Sequence, residues 1–117
     1  LEQASVVDFQ EAQKKGQLII DIRRAEEWAE TGIIEGAETI TAFTKSGALH
    51  PDFQKKFFPL IDDEDTPVYL YCRTGNRTGT LGNALVNQVG LRKVLHLTTG
   101  IVGWKKDGLL TTPYKSD

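Results

Sequence analysis

The sequence predicts an α/β fold built from parallel βαβ units. Three apolar runs carry this prediction, because each is continuous and bounded by polar residues, as strands covered on both faces are. Helix-like segments alternate with these runs at the spacing expected when parallel strands are joined by crossover helices. The three runs are QLIIDI (residues 17–22), VYLYC (residues 68–72) and KVLHL (residues 93–97).

The N-terminal part is expected to add a short strand and two helices to the first of these runs. SVV, residues 5–7, is a strand candidate. Asp8 and Glu11 then form a D-x-x-E capping-box pattern, which predicts a helix that stops near Gly16. AEEWAETG, residues 25–32, predicts a second, short helix that ends at its glycine.

The middle of the chain is less regular. AETITAF, residues 37–43, is a weaker strand candidate, and residues 52–61 predict a helix whose length Pro59 limits. Between them, segment 42–53 is long enough either to lean over a pocket or to serve as an ordinary surface connection. Residues 62–67 (DDEDTP) predict a polar turn before the second apolar run.

Two further helices are predicted in the C-terminal part. In residues 78–90, Leu81, Leu85 and Val89 recur at helical spacing, and Gly90 is a natural C-terminal stop. Residues 100–108 predict a last short helix after the third apolar run.

Length and composition indicate one domain with one sizeable core. The chain has 117 residues, 39% of them hydrophobic and 26% charged, which is typical of a globular protein. A net charge of −2 gives no bulk attraction to nucleic acid or to an anionic membrane, so neither is an expected partner. The first residue is Leu1, which permits an upstream targeting segment. We therefore favour the bacterial periplasm as the compartment, with the cytoplasm as the alternative.

The loop after the second apolar run holds the only cysteine of the chain, Cys72. In an open parallel sheet, ligands bind beyond the carboxyl ends of the strands, which is where Cys72 is expected. Gly75 and Asn76 allow a tight loop that turns several N–H groups inward, and the following helix adds its positive end. Together with the two flanking arginines, these features favour a thiolate and the binding of an anion. The candidate site is Cys72 as nucleophile, with substrate-binding residues Arg73, Thr74, Gly75, Asn76, Arg77 and Thr78.

The loop sequence CRTGNRT resembles the active-site loop of rhodanese-type sulfurtransferases, which reads C-R-[ST]-G-x-R-[ST]. Residues 18–40 are similar to the N-terminal signature of that family, and residues 94–109 are similar to its C-terminal signature. The chain departs from the family pattern outside the loop. Ile33 and Glu35 replace the usual histidine and proline, and residues 98 and 99 are threonines where glycine is common.

This resemblance implies a single rhodanese domain over residues 1–117, with a five-stranded parallel sheet and helices on both faces. It also implies a sulfurtransferase mechanism through a persulfide on Cys72, with no metal and no organic cofactor. The implied partners are a small anionic sulfur donor such as thiosulfate, and a thiol, cyanide or a protein as sulfur acceptor.

Four residues outside the loop receive a more structural interpretation. Asp21 and Arg23 form the D-x-R motif at the end of a strand. We expect them to be a buried hydrogen-bonded pair that fixes loop positions near the site. His50 and His96 lie far apart without metal-ligand spacing, and both are expected to be surface or half-buried histidines.

Two other classes of function stay open. A cysteine phosphatase or arsenate reductase uses a related loop, but cysteine phosphatases place five residues between cysteine and arginine. Here only four residues separate Cys72 from Arg77, and Tyr71 stands where such enzymes have a histidine. A non-enzymatic module that carries persulfide, senses redox state or docks a partner is the second alternative.

Overall fold

The computed structural model of the protein describes residues 1–115. Five strands lie in this part of the chain: β1 (Glu2–Ala4), β2 (Leu18–Asp21), β3 (Glu38–Thr39), β4 (Val68–Tyr71) and β5 (Val94–Leu97). They form one sheet, all parallel, in the spatial order β1-β5-β4-β2-β3. The predicted α/β class and five-stranded parallel sheet are therefore confirmed.

Helices cover both faces of this sheet, because successive strand residues point into two separate cores. The helices are α1 (Val6–Lys14), α2 (Ala25–Thr31), α3 (Phe53–Phe57), α4 (Asn76–Ala84) and α5 (Gly100–Lys106). On β4, Leu70 packs into one core with side chains of α3 and α4, while Tyr71 packs into the other with side chains of α1 and α5. A 3-10 turn (Phe58–Leu60) continues α3 and a π-helical turn (Leu85–Val89) continues α4.

The start of the chain differs from the prediction of a strand at residues 5–7. Ser5 is instead the N-cap of α1: its Oγ accepts the Asp8 N–H at 3.1 Å, and Asp8 Oδ2 accepts the Ser5 N–H at 2.9 Å. The capping box therefore begins at Ser5 rather than at Asp8. The reciprocal cap outweighs the strand preference of the two valines, and the strand lies just upstream, at Glu2–Ala4.

Only Glu38–Thr39 of the strand predicted over residues 37–43 pairs regularly with β2. Two further bonds, from Ile40 N–H to Asp21 O (3.0 Å) and from Ala42 N–H to Ile22 O (3.1 Å), guide the chain past the end of β2. Phe43 then bridges Leu49 in antiparallel fashion. Residues 43–49 are called the 43–49 loop below.

Helix α4 begins at Asn76, two residues before the predicted start, and Gly75 is its N-cap. The helical region ends at Gly90, whose φ of +87° supports the predicted glycine stop. Because of the early start, the N-terminus of α4 follows Cys72 after only a few residues.

Candidate active site

The loop between β4 and α4 is held close to the connection between β5 and α5. Gly75 has a φ of +97°, and a Cβ added there would lie 2.5 Å from the Thr98 carbonyl oxygen. Cys72 O and Arg73 O accept the N–H groups of Ile101 (3.0 Å) and Val102 (3.2 Å) at the start of α5. Glycine at position 75 is thus required both by the backbone angle and by the close approach.

Two groups contact the sulfur of Cys72. The Gly75 N–H donates to Sγ at 3.2 Å, and Thr78 Oγ1 lies 3.6 Å from Sγ. The sequence predicted several inward amides, whereas Gly75 supplies the one loop amide that bonds Sγ in the described part of the chain. Cys72 itself is 1% exposed, so the sulfur sits beneath the loop rather than on the surface.

Arg77 does not point freely into solvent, because its guanidinium binds Glu27 of α2. Nη1 donates to Oε2 at 2.8 Å and Nη2 donates to Oε1 at 2.7 Å. Oε2 also accepts the Arg24 N–H at 3.0 Å, which caps the N-terminus of α2. Partial burial would raise the pKa of the Glu27 carboxyl, but the bonds from Arg77 and Arg24 outweigh it and lower that pKa from 4.5 to about 2. The pair therefore stays ionised and joins the loop to α2.

Arg73 has the opposite surroundings. It is exposed, and its side chain makes no hydrogen bond or ion pair within residues 1–115. It lines a cleft of about 390 Å³ between α2 and α5, together with Glu30 and Lys105. Thr74 on the loop and Asn76 at the start of α4, also predicted as site residues, are exposed as well. Of the two loop arginines, Arg73 is the one available to an incoming anion.

Asp21 and Arg23 form the buried pair expected from the D-x-R motif, with exposures of 0% and 1%. Arg23 Nη2 donates to Asp21 Oδ2 at 2.8 Å and to Gly32 O at 3.0 Å, and Nη1 donates to Thr31 Oγ1 at 2.9 Å. The pair therefore fastens the end of β2 to the C-terminal end of α2, the helix that carries Glu27.

Two residues of this region, Glu27 and His96, were not predicted from the sequence to belong to the site. Glu27 occupies the N3 position of a correctly predicted helix, where a carboxylate commonly caps, and that position was the available signal. His96 was expected to be a surface or half-buried residue, but it is only 6% exposed and its Nδ1 lies 2.8 Å from Thr78 Oγ1. Its place in the middle of an apolar strand run was the signal for burial.

The 43–49 loop borders the predicted catalytic loop. Phe43, Thr44, Lys45 and Gly47 line a second cleft, of about 310 Å³, together with residues that include Asn76 and Arg77. Residues 43–47 of segment 42–53 thus border the site, whereas His50 and Asp52 line a separate cleft with Trp28.

Within residues 1–115, His, Cys, Asp and Glu side chains form no group of three or more that could hold a metal ion. No helix in the same range combines the length and the apolar character needed to span a membrane.

The sequence matches the rhodanese-like domain family over residues 5–107. The chain therefore belongs to that family. Over 98 residues it is 26% identical to an uncharacterized protein of Rickettsia prowazekii, covering 78% of this chain and 79% of the relative.

Two solved structures are informative neighbours. A thiosulfate sulfurtransferase from Pseudomonas aeruginosa aligns with a TM-score of 0.78 and 19% identity over 98% of this chain but only 21% of its own. A protein of unknown function from Rhodopseudomonas palustris, described as a possible tyrosine phosphatase, aligns with a TM-score of 0.68 and 24% identity over 96% of this chain and 85% of its own. At these identities the likeness shows the fold.

Proposed function

We propose that the protein is a sulfurtransferase that moves sulfane sulfur from a donor such as thiosulfate to cyanide or a thiol through a persulfide on Cys72. One observation supports the proposal most strongly. Cys72 comes directly after β4, the middle strand of a rhodanese fold, and its Sγ accepts the Gly75 N–H at 3.2 Å, at the start of α4. An amide and the positive end of a nine-residue helix both stabilise negative charge on sulfur.

The chemistry has two balanced steps. The Cys72 thiolate attacks the outer sulfur of thiosulfate, so a new S–S bond forms while the S–S bond of the donor breaks and sulfite leaves with its electron pair. A thiophilic acceptor then attacks the terminal sulfur of the persulfide, and Cys72 leaves as a thiolate. The Gly75 N–H serves both steps, because each places negative charge on or next to Sγ.

The two arginines take different roles in this proposal. Arg73 is exposed and unpaired in the described part of the chain, so its guanidinium binds the sulfonate oxygens of the donor. Arg77 is committed to Glu27 and braces the loop. Thr74 and Asn76 border the donor on the exposed side of the loop, and Asp21 with Arg23 supports α2 behind it. We also propose that residues 1–117 form a single rhodanese domain.

Access to the sulfur limits the donors. Cys72 is 1% exposed, so a small anion or a thin persulfide side chain reaches Sγ more easily than a bulky group. The same burial is compatible with a carrier that holds persulfide and releases it only to a docked partner, which is the second candidate function.

Thiocyanate formation from thiosulfate and cyanide, measured for wild type and Cys72→Ser, tests the proposal. Turnover in wild type and none in Cys72→Ser is the expected result. A persulfide that forms once without turnover would favour the carrier. Hydrolysis of an aryl phosphate that disappears in Cys72→Ser would favour a phosphatase instead.

A further inference from the structure

Three buried side chains form a line from the sulfur into the sheet. Cys72 Sγ lies 3.6 Å from Thr78 Oγ1, which lies 2.8 Å from His96 Nδ1. The three residues are 1%, 0% and 6% exposed and belong to the end of β4, to α4 and to β5. Because the three side chains are buried, the protons that they share decide which group donates to the sulfur.

The Thr78 hydroxyl carries a single proton but has three neighbours that can share it. Besides Sγ and His96 Nδ1, the Gly75 carbonyl oxygen lies 3.2 Å from Thr78 Oγ1. If Nδ1 is bare, the hydroxyl donates to it, and no proton is left for the sulfur. If Nδ1 carries a proton, it donates to Thr78, and the hydroxyl is free to turn towards Sγ.

The two arrangements differ only in which nitrogen of the His96 ring carries the proton. Burial of the ring lowers the pKa of His96 below 6.5, so the imidazole is neutral near pH 7 and carries one N–H. A thiolate is a stronger acceptor than a neutral carbonyl oxygen. With Nδ1 protonated, the hydroxyl bond therefore goes to the ionised sulfur rather than to Gly75.

We propose that His96 is a positioning residue that donates its Nδ1–H to Thr78 and so directs the Thr78 hydroxyl onto the sulfur of Cys72. This inference rests on the proposed sulfurtransferase function. The hydroxyl then stabilises the Cys72 thiolate twice, as the nucleophile that attacks the donor and as the group that leaves the persulfide. The sulfur thus has two donors, the Gly75 amide from the loop and the Thr78 hydroxyl from the helix.

The packing around His96 fits this role. Its side chain lies on the α4 side of the sheet, where a Cβ on Gly79 would lie 3.8 Å from Cε1. A buried imidazole without a partner would be costly, and Thr78 supplies one. If the His96 imidazole only filled the core, replacing it would not change the reactivity of the Cys72 sulfur. The reactivity of the sulfur therefore distinguishes a packing role from a positioning role.

The test is the rate at which iodoacetamide alkylates Cys72, because the thiolate is the form that reacts. Iodoacetamide is uncharged and no sulfur donor is present, so the result does not depend on the proposed function. Thr78→Val removes one hydrogen bond to the sulfur and should slow alkylation by about three- to tenfold. His96→Leu should slow it less, by about twofold, because the hydroxyl can still reach Sγ but loses the Nδ1–H that orients and strengthens it. His96→Asn, whose amide N–H can take the place of Nδ1–H, should recover most of the loss. His50→Leu is the matched control, since His50 accepts the Asp52 N–H outside the site.

The double variant decides whether His96 acts through Thr78. In a Thr78→Val background, His96→Leu should cause no further loss, because the hydroxyl that it directs is already gone. Wild-type alkylation in His96→Leu would overturn the inference, and so would losses that add in the double variant.

A measurement on the wild type keeps the inference testable if His96→Leu does not fold. Nitrogen chemical shifts of the His96 ring should report a protonated Nδ1 and a bare Nε2 near pH 7. The opposite tautomer would leave the Thr78 hydroxyl bound to His96 and would overturn the inference.

Discussion

Arg77 and Glu27 lie 50 residues apart in sequence, yet they form a two-point ion pair at 2.8 and 2.7 Å that joins the candidate catalytic loop to α2. Their side chains are only 25% and 17% exposed. Glu27 also caps α2 through the Arg24 N–H. The shape of the loop around Cys72 therefore depends on a carboxylate that lies outside the loop.

We expect Arg77→Lys to destabilise the protein even though it keeps the charge. Lysine cannot make the two parallel bonds, so we expect a loss of about 1–2 kcal/mol in the free energy of unfolding, allowing for partial exposure. Urea unfolding measures it. Arg92→Lys is the matched control, because Arg92 pairs with Glu64 at 65% and 60% exposure and should change stability by less than about 0.5 kcal/mol. Equal effects of the two substitutions would contradict the bracing role.

Acid should weaken the same pair. The pKa of Glu27 is about 2 in the folded protein against 4.5 ordinarily, so as pH falls the unfolded chain takes up the proton first. The stabilisation from this carboxylate is complete above pH 4.5 and is lost as pH falls towards 2. We therefore expect the stability difference between wild type and Glu27→Gln to shrink from pH 7 to pH 3 in urea unfolding. A difference that stayed constant with pH would show that the charge of Glu27 is not what stabilises the loop.

Gly75→Ala should damage the loop more than an ordinary glycine substitution does. The added Cβ would meet the Thr98 carbonyl oxygen at 2.5 Å, in addition to the strain of a φ of +97°. Gly16→Ala is the matched control, because Gly16 also has a positive φ, of +69°, but open space around it. We expect Gly16→Ala to destabilise the protein by about 1 kcal/mol. We expect Gly75→Ala to destabilise it more than that and also to slow the alkylation of Cys72. Similar stability and alkylation rates in both variants would contradict the close contact between position 75 and the Thr98 carbonyl oxygen.

The sequence predicted the fold class and the position of the loop because both depend on local patterns. The apolar runs predicted where the strands lie. The resemblance of residues 72–78 to the rhodanese active-site loop predicted where the candidate catalytic loop lies. The strand at residues 5–7 was wrong because the Ser5 cap competes with the β preference of the two valines. Hydrogen bonds between distant segments have no such pattern, so the partner of Arg77 and the contact of His96 with Thr78 emerged only from the structure.

Arg73→Ala should weaken donor binding without changing stability. The side chain is exposed and makes no hydrogen bond or ion pair within residues 1–115, so its loss leaves no partner unsatisfied. We expect KM for thiosulfate to rise by about tenfold with little change in kcat, since one charged contact to the donor is removed. Arg92→Ala, an exposed arginine outside the site, is the control. An unchanged KM in Arg73→Ala would mean that this arginine does not contact the donor.

The most direct test of the proposed function is the intact mass of the protein after incubation with thiosulfate. Cys72 is the only cysteine, so a mass increase needs no mapping to a site. We expect wild type to gain one sulfur atom and to lose it again when cyanide is added, with thiocyanate formed in equal amount. Cys72→Ser should show neither change. A wild-type protein that gains no sulfur from thiosulfate, polysulfide or a persulfide donor would contradict the proposal that Cys72 carries sulfur.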